Sequence, residues 1–148
     1  METMTIATAA PVHIPLPRST AERWAVRVLK ATHAEGDLKT IADWAAFVGV
    51  SYSSLCESCR LLGIRPYDAR DFMRMLRALI QARAAGCHPE ALLDVSDRRT
   101  LNRLILRAGF GSRASAASID DYLRGQLFVD ARNEGLAALR RLLSDRMP

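Results

Sequence analysis

The sequence predicts an all-α fold, a compact multi-helix domain, on three observations. Apolar residues recur at three- and four-residue spacings along most of the chain. Most of these runs open on Ser, Thr, Asp or Pro, and several close at a glycine. No alternation of period two persists over the length of a strand.

The elements follow in order. Ser19 or Thr20 can cap a first helix that runs through Thr32 and carries Trp24 and Val28 on one side, with Gly36 beyond its end. Asp37 can cap a second, in which Leu38, Ile41, Ala45 and Val48 share a face until Gly49 stops it. Ser51 can cap a third, with Leu55, Cys59 and Leu62 as its buried stripe before Gly63 and Pro66. A longer fourth helix spans about Tyr67 to Ala85, with Phe72, Met75, Leu76 and Leu79 inward. Pro89 opens a short fifth, Ser96 caps a sixth through Ala108, and the chain after Ser118 is helical again with a break expected near Gly135. The expected organisation is a flexible arm over 1–18, a helix-turn-helix domain with its linker helix over 19–86, and a second helical subdomain over 87–148.

Charge narrows the function classes. Lys and Arg outnumber Asp and Glu by 21 to 16. Nearly all of the positive charge is arginine, whose planar fork suits phosphates and guanine edges. No run approaches the roughly 18 consecutive apolar residues a membrane span needs, so no membrane contact is expected. The opening METMTIATAAPVHIPLP has no basic start and is broken by Pro11, Pro15 and Pro17, unlike a secretory signal. A cytoplasmic protein is expected, and the odd number of cysteines, three, argues against a disulfide framework.

Metal and catalytic readings find little support. CESC at Cys56 to Cys59, with Cys87 and His88, supplies thiols and an imidazole. Cys59 falls on the predicted buried stripe, however, and the adjacent Cys87 and His88 would converge poorly on one ion. No metal or cofactor is expected. His13, His33 and His88 lie far apart, and no phosphate-binding loop or nucleophile elbow is present, so the chain is not expected to be an enzyme.

Nucleic acid is the partner the motifs favour. Two short helices joined by Gly49 and Val50 form a helix-turn-helix arrangement, whose second helix lies in the major groove with its first residues at base edges. With Leu55, Cys59 and Leu62 inward, Ser53, Glu57 and Arg60 fall on the outward face, flanked by Ser54 and Cys56. Ser51, Ser53 and Ser54 allow close backbone approach, Arg60 can reach a guanine or a phosphate, Glu57 can accept from cytosine N4, and Tyr52 can meet the DNA backbone. On the next helix, Arg70, Arg74, Arg77 and Gln81 follow at spacings of four, three and four, opposite Phe72 and Leu76. A surface stripe so poor in carboxylates is expected to face phosphates, with Lys39 as a further anchor.

At these residues the sequence resembles the DNA-binding domain of AraC-type transcription regulators. The likeness lies in IADWAAFVGVSYSSL, then LLGIRP, then RDFMRMLRALIQAR, and covers Leu38 to Arg83. In that family a Gly-hydrophobe-Ser turn leads into a recognition helix, and an arginine-rich linker helix follows. The family's second helix-turn-helix, whose first helix ends in Gly-Phe, is echoed by TLNRLILRAGFGS, with Arg99, Arg103 and Arg107 on one side. That second half is degenerate, since RASAASIDDYL has only Tyr122 for the aromatic residues expected of a second recognition helix. The resemblance implies sequence-specific binding of double-stranded DNA and transcription regulation.

A second reading is a small helical protein-binding module, an anti-activator or adaptor that engages another regulator rather than DNA. Tyr122, Leu123, Leu127, Leu136, Leu139 and Leu143 offer apolar faces that can close the core or pair two subunits. Homodimerisation and a protein partner in the transcription machinery are therefore both open.

Overall fold

The computed structural model describes residues 19–110 and 118–146. Among these residues the regular structure is helical, with no strand. The expected arm over 1–18 and the first half of RASAASIDDYL lie outside the described residues.

Caps set most of the helix starts. α1 (Thr20–Ala31) begins where Ser19 Oγ accepts the Glu22 amide at 3.1 Å. α2 (Ile41–Val48) is capped by Thr40, whose hydroxyl accepts the Asp43 amide at 2.9 Å. Asp37, the cap expected from sequence, instead accepts hydrogen bonds from Arg74. α3 (Tyr52–Leu61) is capped by Ser51 as expected. α4 (Pro66–Ala85) carries proline at its first position, where a missing amide costs no helical bond. After a single turn of 3-10 helix at Pro89–Leu92 comes α5 (Arg98–Arg107). Its cap is Asp97 rather than Ser96, because the Asp97 carboxylate takes both the Arg99 amide at 3.2 Å and the Thr100 hydroxyl at 2.8 Å. α6 (Ile119–Gly125) and α7 (Glu134–Arg146) complete the order.

The break near the end of the chain falls earlier than expected, between α6 and α7. Buried Gln126 shapes it: Nε2 donates to the Val129 carbonyl at 2.6 Å, and Oε1 accepts the Phe128 and Val129 amides at 2.8 Å each. Gly135 lies inside the first turn of α7. A Cβ there would stand 2.7 Å from Trp24 Cε3 and 2.9 Å from Leu62 Cδ1. The glycine therefore lets α7 close onto α1 and the end of α3, and Asn133 Nδ2 fastens the same corner by donating to the Leu62 carbonyl at 2.8 Å.

One hydrophobic core links helices from α1 to α7, and it crosses position 86 without interruption. Phe72, Met75, Leu76 and Leu79 of α4 point into it as their spacing requires. Trp24, Phe72, Tyr122 and Phe110 form an aromatic row with successive centroids 6.0, 5.4 and 5.7 Å apart. The buried Tyr122 hydroxyl donates to the Phe72 carbonyl at 2.7 Å. Leu136, Leu139 and Leu143 close the core against α1, whereas Leu127 is left exposed.

Candidate nucleic-acid interface

The α2–α3 hairpin owes its tightness to Gly49. At φ 80° and ψ 31° it occupies the left-handed region, which admits glycine without steric penalty. Its amide and that of Val50 both return to the Ala45 carbonyl, at 2.9 and 3.0 Å. One residue later Ser51 Oγ accepts the Ser54 amide at 3.0 Å, and α3 starts.

Two faces of α3 then separate cleanly. Leu55, Cys56, Ser58 and Cys59 are buried. Tyr52, Ser53, Ser54, Glu57 and Arg60 are exposed, as is Ser51. Cys56 departs from the expected flanking position because α1, α2 and α4 all pack on α3, which widens its buried face. The Cys59 thiol is pushed up to about 11; burial outweighs the neighbouring Trp24 indole N–H, which acts in the opposite direction. That thiol is neutral and inert.

On the outer face, Arg60 and Glu57 stand 3.6 Å apart with side chains 63% and 60% exposed. A pair so open to water is held weakly, and either member can exchange it for a ligand. The Tyr52 hydroxyl lies beside the Cys56 thiol, whose charge and hydrogen bond raise its pKa. Tyr67, at the start of α4, is a near neighbour and carries the Arg70 guanidinium 5.0 Å above its ring.

The arginine stripe of α4 is not a surface. Arg74 and Arg77 are only 5% and 1% exposed, which corrects the expectation that both face phosphates. Arg74 grips Asp37 in bidentate fashion at 2.9 and 2.7 Å, with the Asp37 carboxylate also taking the Asp94 amide at 2.8 Å. Burial acts to raise the Asp37 pKa, but the Arg74 hydrogen bonds, the Asp94 amide and the charges of Arg74 and Arg77 outweigh it and hold the carboxyl below its usual value. Arg77 donates to the carbonyls of Ala34, Glu35 and Leu92 at 2.8, 2.6 and 3.0 Å. Gln81 adds bonds to the Thr32 and Ala34 carbonyls, both at 2.8 Å. The physical reason is that the 32–37 loop and the 89–94 segment cover this side of α4, and their carbonyls require donors. Neither arginine can reach a phosphate without abandoning these partners.

The remaining candidates are dispersed. Arg70 is paired with Asp71 at 2.9 Å. Lys39 reaches Asp94 at 3.3 Å. Lys39, Arg70 and Arg74 line a groove of about 240 Å³, but Asp94 and Asp97 line it too, so its charge is mixed. Arg99 and Arg103 are exposed on α5. Arg107 is tied to Asp68 at 3.0 Å and to the Leu127 carbonyl at 3.2 Å. Among the described residues no group of three or more His, Cys, Asp or Glu is placed to hold a metal ion, and no helix is long and apolar enough to cross a membrane.

No family model, curated protein or solved structure matches this chain. Two cations of α1 that the sequence did not single out stand near this hairpin: Arg27, whose Nη1 donates to the Ser54 carbonyl at 3.4 Å, and Arg23, one turn before it on the same helix. Their four-residue spacing was the available signal.

Proposed function

We propose that the protein is a sequence-specific DNA-binding transcription regulator that reads double-stranded DNA through α3, in the manner of an AraC-like helix-turn-helix. One observation carries this reading. A short helix, braced by three neighbours on its inner side, presents Tyr52, Ser53, Ser54, Glu57 and Arg60 to solvent on its outer side. Small hydroxyl residues lead that face and a guanidinium with a loosely held partner follows. That composition suits close approach to a groove and hydrogen bonding to base edges. The exposed Arg99 and Arg103 of α5 and Lys39 are the accessible remainder of the wider contact set, and Arg74 and Arg77 leave it.

A second reading, a module that engages another regulator, is favoured by a different observation. Phe47, Leu61 and Tyr67 on the same hairpin and its exit are 48%, 64% and 62% exposed, and a protein surface would cover them. Selection of duplex DNA from a random pool separates the two. The DNA reading expects an enriched motif, and Arg60→Ala is expected to cost roughly 1–3 kcal/mol and relax preference at one base pair. Absence of any enriched motif, with no salt-sensitive duplex binding, would hand the site to the protein-binding reading.

A further inference from the structure

The burial of Arg74 and Arg77 leaves the DNA-binding reading without its expected phosphate anchors, and the flank of α3 supplies others. α1 and α3 meet in opposite directions. Trp24 lies against Cys59, and Gly135 packs on both Trp24 and Leu62. Arg27, further along α1, reaches back to the Ser54 carbonyl near the start of α3. Arg23, one turn before Arg27, shares its face of α1.

Among the described residues neither side chain is held by a carboxylate, in contrast to four arginines of α3, α4 and α5. Arg60, Arg70, Arg74 and Arg107 each stand on a carboxylate. Arg23 donates to the neutral Thr20 hydroxyl at 3.1 Å, and Arg27 to a backbone carbonyl at a long 3.4 Å. Neither makes an ion pair with a carboxylate among the described residues. They repel each other across one turn. The Arg27 pKa is lowered, first by burial and then by the charge of Arg23. A like-charged pair at this spacing costs the helix stability unless an anion spans it.

We infer that Arg23 and Arg27 are the backbone anchor of the DNA-binding face, together gripping phosphates on one edge of the groove that α3 enters. The inference rests on the function proposed above. The dimensions agree with it. A helix with its side chains is about 10–12 Å across, and the major groove is about 12 Å wide between its phosphate edges. A cation pair lying immediately beside the inserted helix consequently falls at a phosphate row. Because phosphates carry no base identity, this pair fixes register and affinity while Ser53, Glu57 and Arg60 read sequence.

The test measures binding of wild type, Arg23→Gln and the Arg23→Gln/Arg27→Gln double variant. The probes are a random-sequence duplex and the duplex that wild type selects, at several salt concentrations. Each lost contact is expected to lower the slope of log affinity against log salt by about 0.9 and to weaken binding about 8-fold near 0.1 M salt. Both duplexes should suffer alike, and the selected motif should not change. Arg27→Lys keeps the charge and should retain the slope. Arg23 is exposed and bonded only locally, so Arg23→Gln alone keeps the test readable should the double variant lose helicity. Folded variants with wild-type slope and affinity, from a wild type that binds duplex DNA steeply with salt, would overturn the anchor and leave the reading face standing. A wild type that ignores duplex DNA at low salt would overturn both.

Discussion

Asp37 shows how one side chain can be misread from its neighbours in sequence. Its place before an apolar run suggested a helix cap, yet its carboxylate sits with Arg74, the two side chains 2% and 7% exposed. The pairing has a pH signature. The folded-state pKa of Asp37 is held below its ordinary value, so the stability it contributes is fully present above about pH 4 and is lost as pH falls through the folded value. Asp37→Asn is expected to cost about 3 kcal/mol near neutral pH, since it leaves Arg74 buried without its countercharge. That cost should shrink below about pH 4, as read by urea titrations of both proteins across pH; a penalty that stays constant down to about pH 2 would contradict the assignment. Arg77 teaches the same lesson from the other side. Periodicity correctly placed Arg70, Arg74 and Arg77 on one face of α4, but it carries no information about what covers that face. The carbonyls of Ala34, Glu35 and Leu92 come from distant segments. Nothing in the local pattern announces that they need a donor there.

At the scale of elements, what was legible in the sequence is what local chemistry decides. Ser51 caps α3 and Gly49 turns the chain into it because hydroxyl acceptors and left-handed backbone are needs met within a few residues. The outward placement of Ser53, Glu57 and Arg60 on α3 followed from the same short-range logic, whereas the burial of Cys56 came from packing. What was not legible depends on packing. Gly135 looked like a helix breaker, and its role is close approach to Trp24 and Leu62. Gly135→Ala is accordingly expected to destabilise the fold by about 1–3 kcal/mol through overpacking, against a smaller gain in helix propensity. Pairing it with Leu62→Ala, which removes one of the two clashing atoms, should recover part of the Gly135→Ala penalty in a double-mutant cycle. Strict additivity would show that the glycine serves the backbone rather than the contact.

At the scale of the whole molecule, the described residues on both sides of position 86 share one core: Tyr122 stacks on Phe72 at 5.4 Å and donates to its carbonyl. Urea unfolding followed by near-ultraviolet dichroism of this aromatic row and by far-ultraviolet dichroism of the helices should therefore give coincident transitions. Separated midpoints would divide the chain into two units. The seat of α7 on α1 also bears on how the protein is made. Trp24 leaves the ribosome long before Gly135, and 135 − 24 = 111 residues separate them. At roughly 5–20 residues per second, the first helix waits about 5–20 s for the last to cover it. During synthesis the apolar side of α1 is thus a surface for chaperones to shield, and the nascent chain completes its core only after the C-terminal helix has emerged.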